Sequence, residues 1–208
     1  MSAAPDSVVK PPLDWAPLLL VPLLMLVALP LVGSPSTWAT LTLAGLAMGM
    51  MIFIMASGLT LVFGLMDVIN FGHGAFIAIG AYTATLLVIP LSGWLGAESV
   101  LLNLLAMLAM ISLAMLVAGA IGYLFERMIV KPVYGRHLHQ ILVTVGGLIV
   151  AQQIIIVLWG PVQLQFPLPA GLRGVLLFGD IAIERYRLVA VAVGLVVFGA
   201  MLLALNRT

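Results

Sequence analysis

Gly58-Leu-Thr-Leu-Val-Phe-Gly64-Leu-Met-Asp67-Val-Ile-Asn70-Phe-Gly72-His73-Gly74-Ala-Phe-Ile-Ala-Ile-Gly80 is the stretch whose reading decides the fold. It sets an Asp, an Asn, a His and five glycines inside an apolar run, and no Lys or Arg occurs between Lys10 and Arg127. A bilayer core about 30 Å thick is crossed by about 20 helical residues rising ~1.5 Å each. The apolar residues on either side of the polar cluster are numerous enough for a helix before it and another after it. Irregular backbone at membrane depth is tolerated only where protein or a water-filled cavity covers it. The stretch therefore predicts helix, break, helix, with the break near the midplane rather than in a charged loop.

Composition sets the class. The chain is 64% hydrophobic and 7% charged, with a mean hydropathy of +1.29, whereas about 25% of residues are charged in soluble domains. This is an integral membrane protein. The eight basic residues are scattered, so no nucleic-acid partner is expected. With no Cys, disulfides, thiolate metal sites and a cysteine nucleophile are excluded. His137 and His139 point apart at a helical spacing of two, so no metal site is expected there. The sequence has no phosphate-binding loop ending in Gly-Lys-Ser/Thr and no paired carboxylates beside a nucleophile, so an enzyme that hydrolyses ATP itself is not expected.

Outward from the opening stretch, length and polar punctuation divide the chain into an all-α, polytopic transmembrane helical bundle of about six spans. These cover residues 15–32, 38–66, 75–89, 100–125, 141–159 and 188–205. Residues 1–14 form a polar N-terminal segment, and residues 15–208 the transmembrane domain. The first span carries Pro17, Pro22 and Pro30, which suits a kinked, peripheral helix. Residues 33–37 form a turn, and residues 90–98 a loop with an interfacial Trp94. In the fourth span Ala114, Ala118 and Gly122 recur every four positions, giving one face that another helix can approach closely. The segment 126–140 holds Arg127, Lys131 and Arg136 against the single acid Glu126, so the positive-inside rule makes it a cytoplasmic loop. It follows that the N-terminus and Arg207 are cytoplasmic. Residues 160–187 are then external, with a small hairpin about Gly179-Asp180.

The candidate solute path is Gly64, Asp67, Asn70, Gly72, His73 and Gly74. Broken helix ends present free N–H and C=O groups that bind polar solutes without a full charge. Asn70 suits the N-cap of a half-helix beginning at Phe71, and the glycines permit close approach. His73 can donate, accept or titrate near neutral pH, while a buried Asp67 would need a partner or a proton. A structural reading stands beside this one: Asn70 caps, His73 bonds a neighbouring carbonyl, the glycines serve helix packing and Asp67 sits at a wet helix end.

At Gly58, Gly64, Met66, Val68, Ile69, Asn70, His73, Gly74, Phe76, Gly80, Ala81 and Tyr82 the chain resembles the permease subunits of bacterial ABC importers for branched-chain amino acids, the hydrophobic amino acid uptake family. Similarity continues at Glu126-Arg127, Lys131-Pro132, Gly135-Arg136, Leu142-Val-Thr144-Val-Gly146 and Asn206-Arg207-Thr208. The resemblance implies a bacterial inner-membrane subunit with no bound cofactor, ATP being used by separate ATP-binding cassette subunits. It also implies a second permease subunit, a periplasmic substrate-binding protein and surrounding membrane lipid as partners. Permeases for urea, amides or aromatic acids are the alternatives within the family, and an ATP-independent channel or secondary transporter with Asp67 and His73 as a proton relay is the rival outside it. Two departures are evident. Ala75 stands where many relatives have Glu, and the chain stops at Thr208 where relatives continue into a loop that docks on the ATPase, so a truncated chain is expected.

Overall fold

The computed structural model describes residues 15–207, so the predicted N-terminal segment 1–14 and Thr208 lie outside the described residues, as does the side chain of Arg207. The chain forms α1 (Ala16–Val32), α2 (Pro35–Met66), α3 (His73–Thr85), α4 (Ser92–Gly96), α5 (Val100–Phe125), α6 (His137–Trp159), β1 (Val175–Phe178), β2 (Ile181–Glu184) and α7 (Arg185–Arg207). Among the described residues, four helical stretches are long and apolar enough to cross a membrane: Pro35–Met66, Val100–Val133, His137–Trp159 and Arg185–Leu205. This is the expected all-α polytopic bundle.

The element bounds follow from local chemistry. Gly33 takes a left-handed φ of 74° after α1, and Pro35 opens α2 behind Ser34, whose hydroxyl accepts the Thr37 N–H at 3.4 Å. The turn expected over residues 33–37 is thus confined to Gly33 and Ser34, because proline suits the first helical position, where no N–H is required. The third run, expected as a full span over 75–89, is α-helical for only 13 residues, or about 20 Å at ~1.5 Å per residue. Beyond Thr85 the N–H groups of Leu86, Leu87 and Val88 bond three residues back, to Thr83, Ala84 and Thr85. Pro90 follows, which has no N–H to extend an α-helix and disfavours helical geometry in the residue before it. The loop expected at 90–98 contains α4, with Trp94 partly exposed.

The basic segment differs most from expectation. Helical structure continues past Phe125 through a wide π turn (Glu126–Val130) and a 3-10 turn (Lys131–Val133), and α6 begins at His137 rather than at residue 141. The non-helical link is therefore only Tyr134, Gly135 and Arg136, with Gly135 at φ 74° making the reversal. Pro132 ends the helical ladder, and nothing between Glu126 and Lys131 breaks it sooner.

The helices sort into two groups. α2 packs on α1, β2 and α7, while α3 packs on α5 and α6, and α4 and the turn Ala170–Leu172 pack on α5. In the first group Trp38 Nε1 donates to the Met25 carbonyl at 2.8 Å, and Phe53 meets Phe198 edge-on at 5.8 Å. In the second, the stripe of small residues receives α3 as expected. A Cβ on Gly80 would touch Ala114 and Ala118, and Phe76 lies beside Gly122. Phe76 also meets Phe125 at 5.4 Å, and the Phe125 ring lies so close over Gly147 that a Cβ there would be 2.5 Å from it. The expected hairpin is present as an antiparallel pair, Val175 opposite Glu184 and Phe178 opposite Ile181, turning at Gly179-Asp180. It is tied to α2 by the Ala182 N–H, which donates to Thr40 Oγ1 at 3.2 Å.

Candidate functional site: the break between α2 and α3

Residues 67–72 leave the helix, and each step has a physical cause. Asp67 ends α2 in the left-handed conformation, φ 52° and ψ 36°, with its N–H bonded to the Phe63 carbonyl. Among the described residues it is the one non-glycine with positive φ, a conformation Asp tolerates better than most side chains. The next N–H groups have no intrahelical acceptor, and buried N–H groups need partners. α6 supplies them: the Ile69 N–H donates to Gln140 Oε1 at 3.3 Å and the Phe71 N–H to Thr144 Oγ1 at 3.2 Å. Gln140 and Thr144 stand four residues apart on one helix face and are 1% and 0% exposed. The Thr144 hydroxyl donates in turn to the Gln140 carbonyl at 2.7 Å.

Asn70 accepts the Gly72 N–H on its side-chain oxygen at 2.9 Å, and its main-chain carbonyl accepts the His73 N–H at 3.3 Å. Asn70 therefore satisfies an orphan donor as expected, but α3 starts at His73 behind Gly72, not at Phe71. The side chain closes a short turn ahead of the helix instead of capping it. Gly72 is buried, and a Cβ there would stand 3.1 Å from Asn70 Oδ1 and 3.3 Å from the Thr144 carbonyl. That is the close approach its missing side chain allows. His73 reaches back across the break: its Nε2 lies 3.0 Å from the Met55 carbonyl of α2, and a carbonyl can only accept, so Nε2 carries the proton. The ring rests on Gly58, where a Cβ would come within 2.9 Å of Cε1.

Beside this break lies a groove of about 430 Å³. Its walls are mostly apolar, with Leu59, Phe63, Val68 and Phe71, and its polar edge is Thr60, Asn70, His73 and Gly74. Of the predicted path residues, Asn70, His73 and Gly74 are brought together on the groove, whereas Gly64, Asp67 and Gly72 do not line it. Asp67 is an exposed helix terminus, Gly64 is exposed on α2, and Gly72 packs toward α6. The break contacts the first two turns of α6, so it lies toward the basic end of the bundle and not level with the middle of that helix, as a midplane break would. A larger groove, about 590 Å³, lies between α2, the hairpin and α7. Its walls are apolar, and its two charged groups, Arg187 and Glu184, are bonded to each other at 2.6 Å.

Arg127, Lys131 and Arg136 gather at the turn leading into α6. Arg127 Nη1 donates to Tyr123 Oη at 2.7 Å, and the Tyr134 hydroxyl donates to Glu126 at 2.6 Å. That bond to the carboxylate, helped by partial burial, pushes the Tyr134 hydroxyl up to about 12. Gln140 and Thr144 were given no role from the sequence, although Thr144 lies in the family-similar stretch Leu142-Val-Thr144-Val-Gly146. The available signal was an i, i+4 pair of hydrogen-bonding side chains at the head of an apolar helix, which a break elsewhere in the chain would require.

Residues 41–208 match the family described as the permease component of branched-chain amino acid transport systems, and the chain belongs to that family. Over 91 residues it is 37% identical to the "High-affinity branched-chain amino acid transport system permease protein BraD" of Pseudomonas aeruginosa, a match covering 44% of this chain and 28% of that protein. The chain thus matches less than a third of that relative's length. No solved structure matches it.

Proposed function

We propose that the chain is the membrane-crossing part of an ABC importer that moves branched-chain amino acids into the cytoplasm, with the groove at residues 59–74 on the solute path. The observation that carries this is the groove itself: the break in the polypeptide places Asn70, His73 and Gly74 against a wall of Leu59, Phe63, Val68 and Phe71. A branched-chain amino acid has the same division, a polar head and an aliphatic tail. An apolar wall favours such a solute over urea, which has no apolar part to bury. Asn70 and His73 would act on the polar head by hydrogen bonding, and no covalent chemistry is required of the chain. ATP binding and hydrolysis in separate cassette subunits would drive the conformational cycle. An external binding protein would deliver solute on the side of the hairpin, opposite the basic turn.

The test is uptake of labelled leucine into proteoliposomes containing this chain with its partner permease, cassette subunits and binding protein. Uptake is expected only with ATP and all partners present. Uptake by this chain alone, following a proton gradient, would establish the secondary-transporter reading instead. Asn70→Leu and Gly74→Leu are expected to abolish uptake while the protein still purifies as a folded species; uptake at the wild-type rate in both would remove the groove from the path.

A further inference from the structure

α2 belongs with α1, β2 and α7, whereas α3 belongs with α5 and α6, although only residues 67–72 separate α2 from α3. The break is thus one of two covalent links between the groups, the other being residues 173–174, between the Ala170–Leu172 turn and β1. Its α3 side is fixed to α6 through Gln140 and Thr144, each holding a main-chain N–H of the link. The α2 side is met by His73, which leaves its own group to bond the Met55 carbonyl, one turn before Gly58. The bonds of Trp38 to Met25, of Thr40 to Ala182 and of Asn103 to Gly171, by contrast, each stay within a group. The Met55 carbonyl lies inside α2, where it already serves as a helix acceptor. The imidazole bond is therefore an addition that α2 does not need in order to be helical.

We propose that His73 is a latch between two helix groups that shift against each other, with residues 67–72 as one hinge between them, anchored to α6 by Gln140 and Thr144. Three features support it. The latch is a single hydrogen bond, weak enough to break and re-form in a working cycle. The hinge begins at a non-glycine residue in the left-handed region, where a modest change in backbone angles redirects the chain. The groove is walled by α2 on one side and by the link and the start of α3 on the other, so relative motion of the groups changes its width. The latch does not depend on which solute is carried or on what supplies the energy.

The chain has no cysteine, so spin labels can be placed singly or in pairs without background. One pair, Met48→Cys on α2 with Leu108→Cys on α5, reports the distance between groups. A second, Met48→Cys with Val196→Cys on α7, reports distance within one group. All three positions are exposed. In purified protein in lipid nanodiscs, His73→Ala is expected to broaden the first distance distribution and add a population absent from wild type, with the second unchanged. Gly58→Ala keeps the imidazole but places a methyl against it, and should do the same from the opposite side. His73→Gln, whose amide can donate to Met55, should restore the wild-type distribution. An unchanged first pair in His73→Ala, or both pairs broadening together, would overturn the latch. Loss of uptake with no change in either pair would leave the groove on the solute path while removing the latch.

Discussion

Two joints in this molecule use the same device and come out differently. At the end opposite the basic turn, Asn103 of α5 is fully buried; its Nδ2 donates to the carbonyls of Trp94 at 2.7 Å and Ala97 at 3.0 Å, and its Oδ1 accepts the Gly171 N–H at 2.7 Å. At the break, Gln140 and Thr144 are likewise buried and likewise satisfy main-chain groups of another segment. The Asn103 joint is closed, with donors and acceptors both used and Leu95, Ala106 and Met110 packed nearby. The break is covered from α6 alone, and its other side faces the groove with Asn70 and His73 on the edge. A buried polar residue in an apolar bundle is therefore not by itself a mark of function. The mark is backbone satisfied on one side only.

The largest expected effect breaks the closed joint. Asn103→Leu would remove the side-chain partner of the Gly171 N–H and of the Ala97 carbonyl, at about 1–3 kcal/mol for each buried group left unpaired. The thermal unfolding midpoint in detergent should fall sharply and the folded yield with it; a wild-type melt would mean that water replaces the side chain and that the joint is not closed. Thr144→Val removes one hydroxyl at nearly constant shape and orphans the Phe71 N–H, for about 1–2 kcal/mol. Hydrogen exchange at residues 69–72 should accelerate while exchange around Gly171 does not. Equal acceleration at both places would merge the two joints into one cooperative unit.

A smaller effect separates geometry from chemistry at Asp67. Asp67→Gly keeps the left-handed turn and should leave uptake intact with stability within about 1 kcal/mol of wild type, whereas Asp67→Val should lose roughly 1–2 kcal/mol because a β-branched side chain is strained at positive φ. Loss of uptake in the glycine variant would return the carboxylate to the solute path. The smallest effect lies in the basic turn. Tyr134 holds its proton to about 12 against an ordinary 10.0, because its hydroxyl donates to Glu126. The native state thus keeps a proton that the unfolded chain gives up. The contribution to stability is present below pH 10 and is lost as pH rises from 10 towards 12. Phenolate absorbance, taken as wild type minus Tyr134→Phe, should rise near pH 12, and near 10 in Glu126→Gln; a wild-type rise near 10 would show that the bond is not formed.

Much of this was legible in the chain. The break announces itself at Asn70 to Gly74 because nothing in an apolar run explains those residues, and the stripe Ala114, Ala118, Gly122 predicted the face on which α3 lies. The hairpin was readable from Gly179-Asp180. The start of α6 was not, since His137, His139 and Gln140 are polar and read as loop, while Gly135 and Pro132 mark the true boundaries only once the helical geometry around them is known. Asn70 was given a cap position two residues too early, because a side chain closing a turn and a side chain capping a helix leave the same trace in a sequence.

The sequence by itself determined that this protein lives in a membrane, that it is helical, that its long apolar run is interrupted at residues 67–74, and which family it resembles. Those follow from residue-by-residue properties: apolar length, missing charge, glycine and motif spacing. Only the tertiary structure decided that the interruption is held by Gln140 and Thr144, that α2 and α3 belong to different helix groups, and that Asn70, His73 and Gly74 share a groove while Asp67, Gly64 and Gly72 do not line it. The physical reason is that a main-chain N–H left free by a break can be satisfied by any suitable side chain in space. The partner here lies about 70 residues away, at a separation that local periodicity does not encode.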